Sequence, residues 1–413
     1  MMEKPKTRKR LEASKALRQI IGDFYADGHR AKAEGRPVVW IPPMNGLIEV
    51  FYAMGITPVF PENWAPLCAA IGTNQKNFET TADLGYSRDL CGYFRNNVGY
   101  ALEGIKECNQ PLGGLPAPDL LFSFGGGCIP TMKAFQVMCD HFDVPVFRTD
   151  LPQVAMEDIR EHHIEYAVAQ IKKLIGFLED QFGLKFDIDK LRQAVIHTDE
   201  ACRLWNEIMA KRATIPSPFS AAEIGIMFVM VTRHGTEIAV RFLEQVLQEV
   251  NAKVARGEGV IPDEKIRLFW DNIPLWYDMQ IFNYFEKWNA VVVAETYTSA
   301  WSLRLDPDKP LESVAYKSIV SYPLVSCVSL DKRLDLIGKA VRDYSIDGVI
   351  LHSNRSCKPI SMGQMDIKRV LAEEYSVPSV MFDGDHMDQE NFSMAQFQTR
   401  MDAFMEMLSE RKR

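Results

Sequence analysis

"PDLLFSFGGGCIPTMKAF", residues 118–135, and "DGVILHSNRSCKPISMGQ", residues 347–364, decide the fold. Each runs from an apolar segment of strand length through a glycine-rich or polar turn to one cysteine, then X-Pro and a helical pattern. Each is followed by Val-Pro opening a second strand that ends in Asp, "VPVFRTD" at 144–150 and "VPSVMFDGD" at 377–385. This is the grammar of parallel strands with helical crossovers. Because the plan occurs twice, Cys128 and Cys357 hold equivalent places. Ligands of open α/β sheets bind beyond the carboxyl ends of the strands, where such turns lie. Helix N-termini there favour anions, thiolates included. Ordinary likeness among strand–helix turns would give the same echo, and the residues leave both readings open.

The rest of the chain follows the same alternation. "PVVWIP", "TPVFP", "IRLFWDN" and "AVVVAET" read as strands, and "GLIEVFYAMG", "YDMQIFNYFEKW" and "RLDLIGKAVRDY" as helices. From about Met156 to Arg256 the pattern is helical almost throughout. The expected fold is α/β, with two Rossmann-like lobes of parallel strands joined by a helical segment and a cleft between the lobes. The expected boundaries are 1–155, 156–262 and 263–413. A chain of 413 residues is long enough for such a division.

Composition narrows the function. Apolar residues make up 47% and charged residues 25%, the mix of a globular protein, and the net charge of −8 disfavours a broad nucleic-acid face. The N-terminal "MMEKPKTRKRLEASKALRQ" has no signal-peptide core, and "IGIMFVMVTRHG" is too short to span a bilayer. A cytoplasmic protein is expected. In a reducing compartment its eight scattered cysteines read as thiols or metal ligands, not disulfides.

A third cysteine, Cys91, lies in "GYSRDLCGYFRNNVGY" between Arg88 and Arg95. A buried core thiol is the ordinary reading of any one of the three. Taken together they raise a metal reading. No CxxC pair or zinc-like histidine spacing is present, and soft thiolates from distant segments suit an iron–sulfur cluster better than zinc. Cys68, Cys108, Cys139 and Cys202 read as structural, and Cys327 is ambiguous. "SFGGGCIP" lacks the Lys-Ser/Thr of a P-loop. Glu62 in "FPEN" sits just past a strand, placed for proton transfer, although a capping or solvated role is commoner. Asp383, Asp385 and Asp388 in "FDGDHMD" read as a turn with capping carboxylates before a divalent-ion site.

Nearly end to end, the chain resembles the subunits of the 2-hydroxyacyl-CoA dehydratases, relatives of the class I benzoyl-CoA reductases. The likeness rests on "AKAEGRPVVW", "FPEN", "GYSRDLCGYFRNNVG", "TIPSPF", "HSNRSCKPISMGQMDIKR" and "FDGDHMDQENFSMAQFQTR". The resemblance implies a heterodimer in which each subunit carries a [4Fe-4S] cluster held by three cysteines, here Cys91, Cys128 and Cys357. It implies an ATP-hydrolysing activator protein that injects one electron. It also implies an acyl-CoA substrate whose thioester oxygen takes the open iron site, giving a ketyl radical that expels the hydroxyl group. Glu62 falls where the family places a carboxylate near the substrate, as an acid/base. One departure is visible: the dehydratases show serines where this chain reads "WIPPMN", with Ile41, Pro42, Pro43, Met44 and Asn45. That gap favours, as an alternative, a reductase of an aromatic acyl-CoA. Further alternatives are a reductase with a double-cubane cluster and a non-catalytic electron-transfer subunit.

Overall fold

The computed structural model describes residues 10–43, 47–103, 110–125, 128–152, 154–301, 303–326 and 329–412. Among these described residues, eight strands form two sheets. The first comprises β1 (Val38–Trp40), β2 (Thr57–Val59), β3 (Leu120–Gly125) and β4 (Val146–Asp150). The second comprises β5 (Ile266–Asp271), β6 (Ala290–Glu295), β7 (Gly348–Asn354) and β8 (Ser379–Gly384). Their orders are β2-β1-β3-β4 and β6-β5-β7-β8, with every pairing parallel. The two sheets therefore share one topology, and the expected pair of Rossmann-like α/β lobes is present.

Burial explains why these segments are strands. β5 and β6 are buried at every position, as expected where helices cover both faces of a parallel sheet and the sequence reads as a continuous apolar run. Cys128 and Cys357 each follow the third strand of their sheet, β3 and β7. Those strands lie beside β1 and β5, where the strand order reverses, which is the ligand-binding point of such sheets.

Helices Glu161–Phe182, Ile188–Ala210 and Glu237–Ala255 fill the stretch between the sheets in sequence. The second begins at Asp187, whose carboxylate accepts from the Asp189 and Lys190 amides. Their apolar faces, including Ile171, Leu174, Val195, Trp205, Leu243 and Val246, join the first sheet's residues in one continuous core. The second sheet has a separate apolar cluster on each face. The segment expected as a helix at "YDMQIFNYFEKW" is a 3-10 helix, Met279–Trp288. Its rise of about 2.0 Å per residue, against about 1.5 Å in an α-helix, carries ten residues further along the β5–β6 crossover. No helix among the described residues is long and apolar enough to cross a membrane.

Candidate active site at the facing strand ends

Cys128, after β3, and Cys357, after β7, lie near Cys91. Cys128 caps the helix Ile129–Phe142, Cys357 precedes the short helix Lys358–Ser361, and Cys91 immediately precedes the helix Gly92–Glu103. Cys91 is buried, and Cys128 and Cys357 are partly so. Burial is the main reason the Cys91 thiol is pushed well above its ordinary pKa, and the nearby Cys128 and Cys357 add to it. Burial, then Cys128, pushes Cys357 up to about 12. The three sulfurs are thus close enough to oppose one another's ionisation.

Contacts between the two lobes hold this junction. The Gly92 amide donates to Ser356 Oγ at 3.3 Å, and the Asn74 side-chain amide donates to the Met387 carbonyl at 2.8 Å. Arg95 pairs with Asp388 at 2.8 Å, both almost fully buried. His386 Nε2 lies 4.0 Å from Cys91 Sγ, and its ring meets Tyr93 edge to face at 4.4 Å. The acidic turn behaves as expected: Asp385 Oδ1 accepts from the Met387 and Asp388 amides, and Asp388 caps the 3-10 turn Gln389–Asn391. Asp383 stands apart, exposed near Arg400.

Glu62 is neither a cap nor freely solvated. It lies in the first turn of the helix Pro61–Ile71, and Thr131 Oγ1 donates to its Oε2 at 3.0 Å. Thr131 belongs to the helix that Cys128 begins, so the carboxyl is tied to the cysteine turn. Burial lifts its pKa from 4.5 to about 7, and the Thr131 bond opposes part of that rise.

Glu62 opens on a small enclosed cavity of about 20 Å³, room for about one water molecule. Pro43, Pro66, Met227, Phe228, Val231 and Trp301 form its apolar wall, and Tyr93, Trp276 and Tyr297 its aromatic side. Tyr297 is near enough to Glu62, Cys357 and Cys91 that their ionisation would oppose its own, which sets the cavity beside the cysteines. A larger surface depression of about 660 Å³, lined by Tyr52, Asp187, Arg192, His197 and Glu237 among others, contains none of these residues. Its Arg192 is already paired with Asp189.

The other cysteines have packing surroundings. Cys68 lies 3.8 Å from Gln110 Oε1, Cys139 donates to the Val144 carbonyl at 3.2 Å, and Cys202 lies 3.5 Å from His234 Nε2. Cys108, Cys327, Met44 and Asn45 lie outside the described residues. Of the "WIPPMN" residues, Ile41 is buried in the core and Pro43 lines the cavity. Tyr93, Trp276, Tyr297 and His386 are site residues that sequence reasoning misses. For Trp276 and Tyr297 a signal exists: each follows the carboxyl end of a strand, β5 or β6.

Comparison with known proteins accords with this geometry. The chain is 30% identical to the (R)-2-hydroxyisocaproyl-CoA dehydratase alpha subunit of Clostridioides difficile, over 97% of each chain. It is 28% identical to the (R)-phenyllactyl-CoA dehydratase alpha subunit of Clostridium sporogenes, over 100% of this chain and 99% of that one. It is also 28% identical to a benzoyl-CoA reductase subunit of Thauera aromatica, over 79% of this chain and 78% of that one. Residues 47–408 match the family model described as 2-hydroxyglutaryl-CoA dehydratase, D-component. By that match over most of its length, this chain belongs to the 2-hydroxyglutaryl-CoA dehydratase D-component family.

Proposed function

We propose that this chain is an iron–sulfur subunit of a radical 2-hydroxyacyl-CoA dehydratase, a lyase that converts a 2-hydroxyacyl-CoA to the enoyl-CoA. In this reading Cys91, Cys128 and Cys357 hold a [4Fe-4S] cluster with one open iron. A related second iron–sulfur subunit and an ATP-hydrolysing activator complete the system, and the work is cytoplasmic. The observation that carries it is the convergence of three thiols, from two sheets, beside an apolar cavity holding one carboxyl group.

The donor set fits such a group. Among the described residues no three His, Cys, Asp or Glu side chains are close enough to share a single metal ion. A cluster takes each thiolate on a different iron and so asks for wider spacing. Burial and mutual repulsion disfavour three bare thiolates here, whereas a cationic cluster reverses that balance. When bound, it would supply a one-electron reductant and a Lewis acid for the thioester.

The chain's own residues do the rest. Thr131 fixes one oxygen of Glu62, leaving the other to meet the substrate. A carboxyl with a pKa near 7 can both take and return a proton at neutral pH. The apolar wall excludes water from the reacting carbons. As described, the cavity admits a guest the size of one water, and Met227 is the wall residue best able to shift for an acyl group. The cavity itself supports a substrate-handling role over electron relay alone. A second reading, reductase of an aromatic acyl-CoA, is supported by the Pro43 wall and the rings of Phe228, Trp276 and Trp301.

Iron and sulfide content with Mössbauer spectra, on anaerobically purified protein and on Cys91→Ala, Cys128→Ala and Cys357→Ala, tests the reading. Roughly four irons per chain in wild type, lost or degraded in each variant, is the expected result. Well-folded protein without iron, indistinguishable from its variants, would sink it.

A further inference from the structure

Where β5 and β7 end, the reversal point of the second sheet is filled by its own side chains. Asp271, the last residue of β5, is fully buried and accepts three hydrogen bonds. Thr296 Oγ1 donates to its Oδ1 at 2.8 Å, and Arg333 Nη2 and Gln364 Nε2 donate to its Oδ2 at 2.5 and 2.9 Å. The next residue, Asn272, is left-handed at φ +86°, a conformation asparagine adopts more readily than most side chains. Its Nδ2 donates to the His352 carbonyl at 3.0 Å and to Ser361 Oγ at 3.1 Å.

These bonds converge on one stretch, 352–364, with Cys357 near its middle. Ahead of the cysteine, the His352 carbonyl also accepts from Gln364 Nε2 at 2.9 Å, and the Asn354 carbonyl accepts from Ser361 Oγ at 2.8 Å. Beyond it, Arg333 Nη1 donates to the Met362 carbonyl at 3.3 Å, and the Ser361 amide donates back to the Cys357 carbonyl at 3.2 Å. The turn is closed on itself and tied to β5 on both sides of the cysteine. All of these ties come from the second lobe, and none of them uses the thiol. In the first lobe the place after β1 holds Ile41 and Pro43, and Pro43 lines the cavity. Equivalent points of the two sheets thus do different work: one faces the cavity and the other holds a cysteine.

We propose that Asp271 and Asn272 are positioning residues for Cys357, holding its turn in place before any iron arrives. This rests on the cluster reading above. Groups that orient a metal ligand in this way set how firmly the metal is kept.

The test is a chelator challenge on the full-length, anaerobically purified protein, as wild type, Asn272→Gly and Gln364→Met. Glycine keeps the left-handed backbone and removes only the carboxamide. Methionine removes the Gln364 bonds at similar length, and both variants leave the buried Asp271–Arg333 pair whole. Iron is drawn off with bathophenanthroline disulfonate in the presence of iodoacetamide, and the label on each cysteine is followed by peptide mass spectrometry. In both variants Cys357 is expected to label about 3- to 10-fold faster than in wild type, the worth of one hydrogen bond. Cys91 and Cys128 should keep their wild-type rates, and the buried Cys68 and Cys202 should stay unlabelled. A merely structural role would speed all three ligands together, or expose Cys68 and Cys202 with them, and either result overturns the inference. Unchanged labelling of Cys357 overturns it as well, with the cluster reading intact if wild type holds iron. Wild type without iron overturns that reading and the inference with it.

Discussion

Gly92 and Met387 approach so closely that a β-carbon on Gly92 would overlap the Met387 side chain. Gly92 follows Cys91, and Met387 lies in the turn after β8, so the absent side chain lets one lobe seat against the other. Gly92→Ala is expected to cost about 1–3 kcal/mol by forcing this junction apart. Gly176→Ala is the control. That glycine lies inside the helix Glu161–Phe182 with nothing within 4 Å of a new β-carbon, so it should gain about 0.5–1 kcal/mol. Urea unfolding curves should move in opposite directions, and parallel shifts would refute the account.

Glu62 makes the stability of this region depend on pH. Its folded pKa, about 7, lies above the value of 4.5 expected when unfolded, so the folded protein holds the proton more tightly. Stability from this group is full below pH 4.5 and declines as pH rises through 7, by an amount on the order of 3 kcal/mol. Glu62→Gln should flatten that part of the curve. The quantity to measure is the difference between wild type and variant from pH 4.5 to 7.5, in which other titrations cancel.

Arg95 and Asp388 bind the lobes through a buried ion pair, with the guanidinium also 4.0 Å from the Phe78 ring. Arg95→Met strands the carboxylate and should cost about 3–5 kcal/mol. Adding Asp388→Asn should recover part of the loss, because the stranded charge is then gone. A double-mutant cycle by thermal unfolding that shows simple additivity would deny the coupling.

A second buried pair joins Glu49 to Lys317 at 2.6 Å, with Thr198 donating to the same carboxylate at 2.7 Å. Burial opposes ionisation of Glu49, but Lys317 and then His234 outweigh it and hold the carboxyl below its ordinary range. The stability it brings is present above pH 4.5 and fades as pH falls through the lowered folded value. Lys317→Met should therefore destabilise at neutral pH by about 3–5 kcal/mol, with the deficit narrowing in acid. Unfolding free energies of both proteins at pH 7 and pH 3.5 check this.

Much of the fold is legible in the sequence because parallel strands announce themselves as short apolar runs after Val-Pro or before glycine-rich turns. Cys128 and Cys357 are legible as a pair for the same reason: both follow the third strand of a repeated sheet. The helix Pro310–Ser326 is not, since Pro310 and Pro323 punctuate it and prolines ordinarily mark helix boundaries. Glu62 can be named from the sequence as a carboxylate of interest, yet its hydrogen-bond donor is Thr131, 69 residues later. Tyr93 is two residues from Cys91 and reads like any core aromatic. Its partners Trp276 and Tyr297 come from the other sheet, and no local periodicity encodes that meeting.

The division of the cysteines between the sheets ties two equilibria together. Cys91 and Cys128 belong with the first sheet and Cys357 with the second, so neither half of the molecule possesses the trio alone. A disturbance at the seam scatters the sulfurs while each sheet remains intact. The converse follows by thermodynamic linkage: whatever ligand joins the three sulfurs contributes its binding free energy to the docking of the halves. Under the proposed cluster, loading the site and docking the halves would be coupled, and each would report on the other.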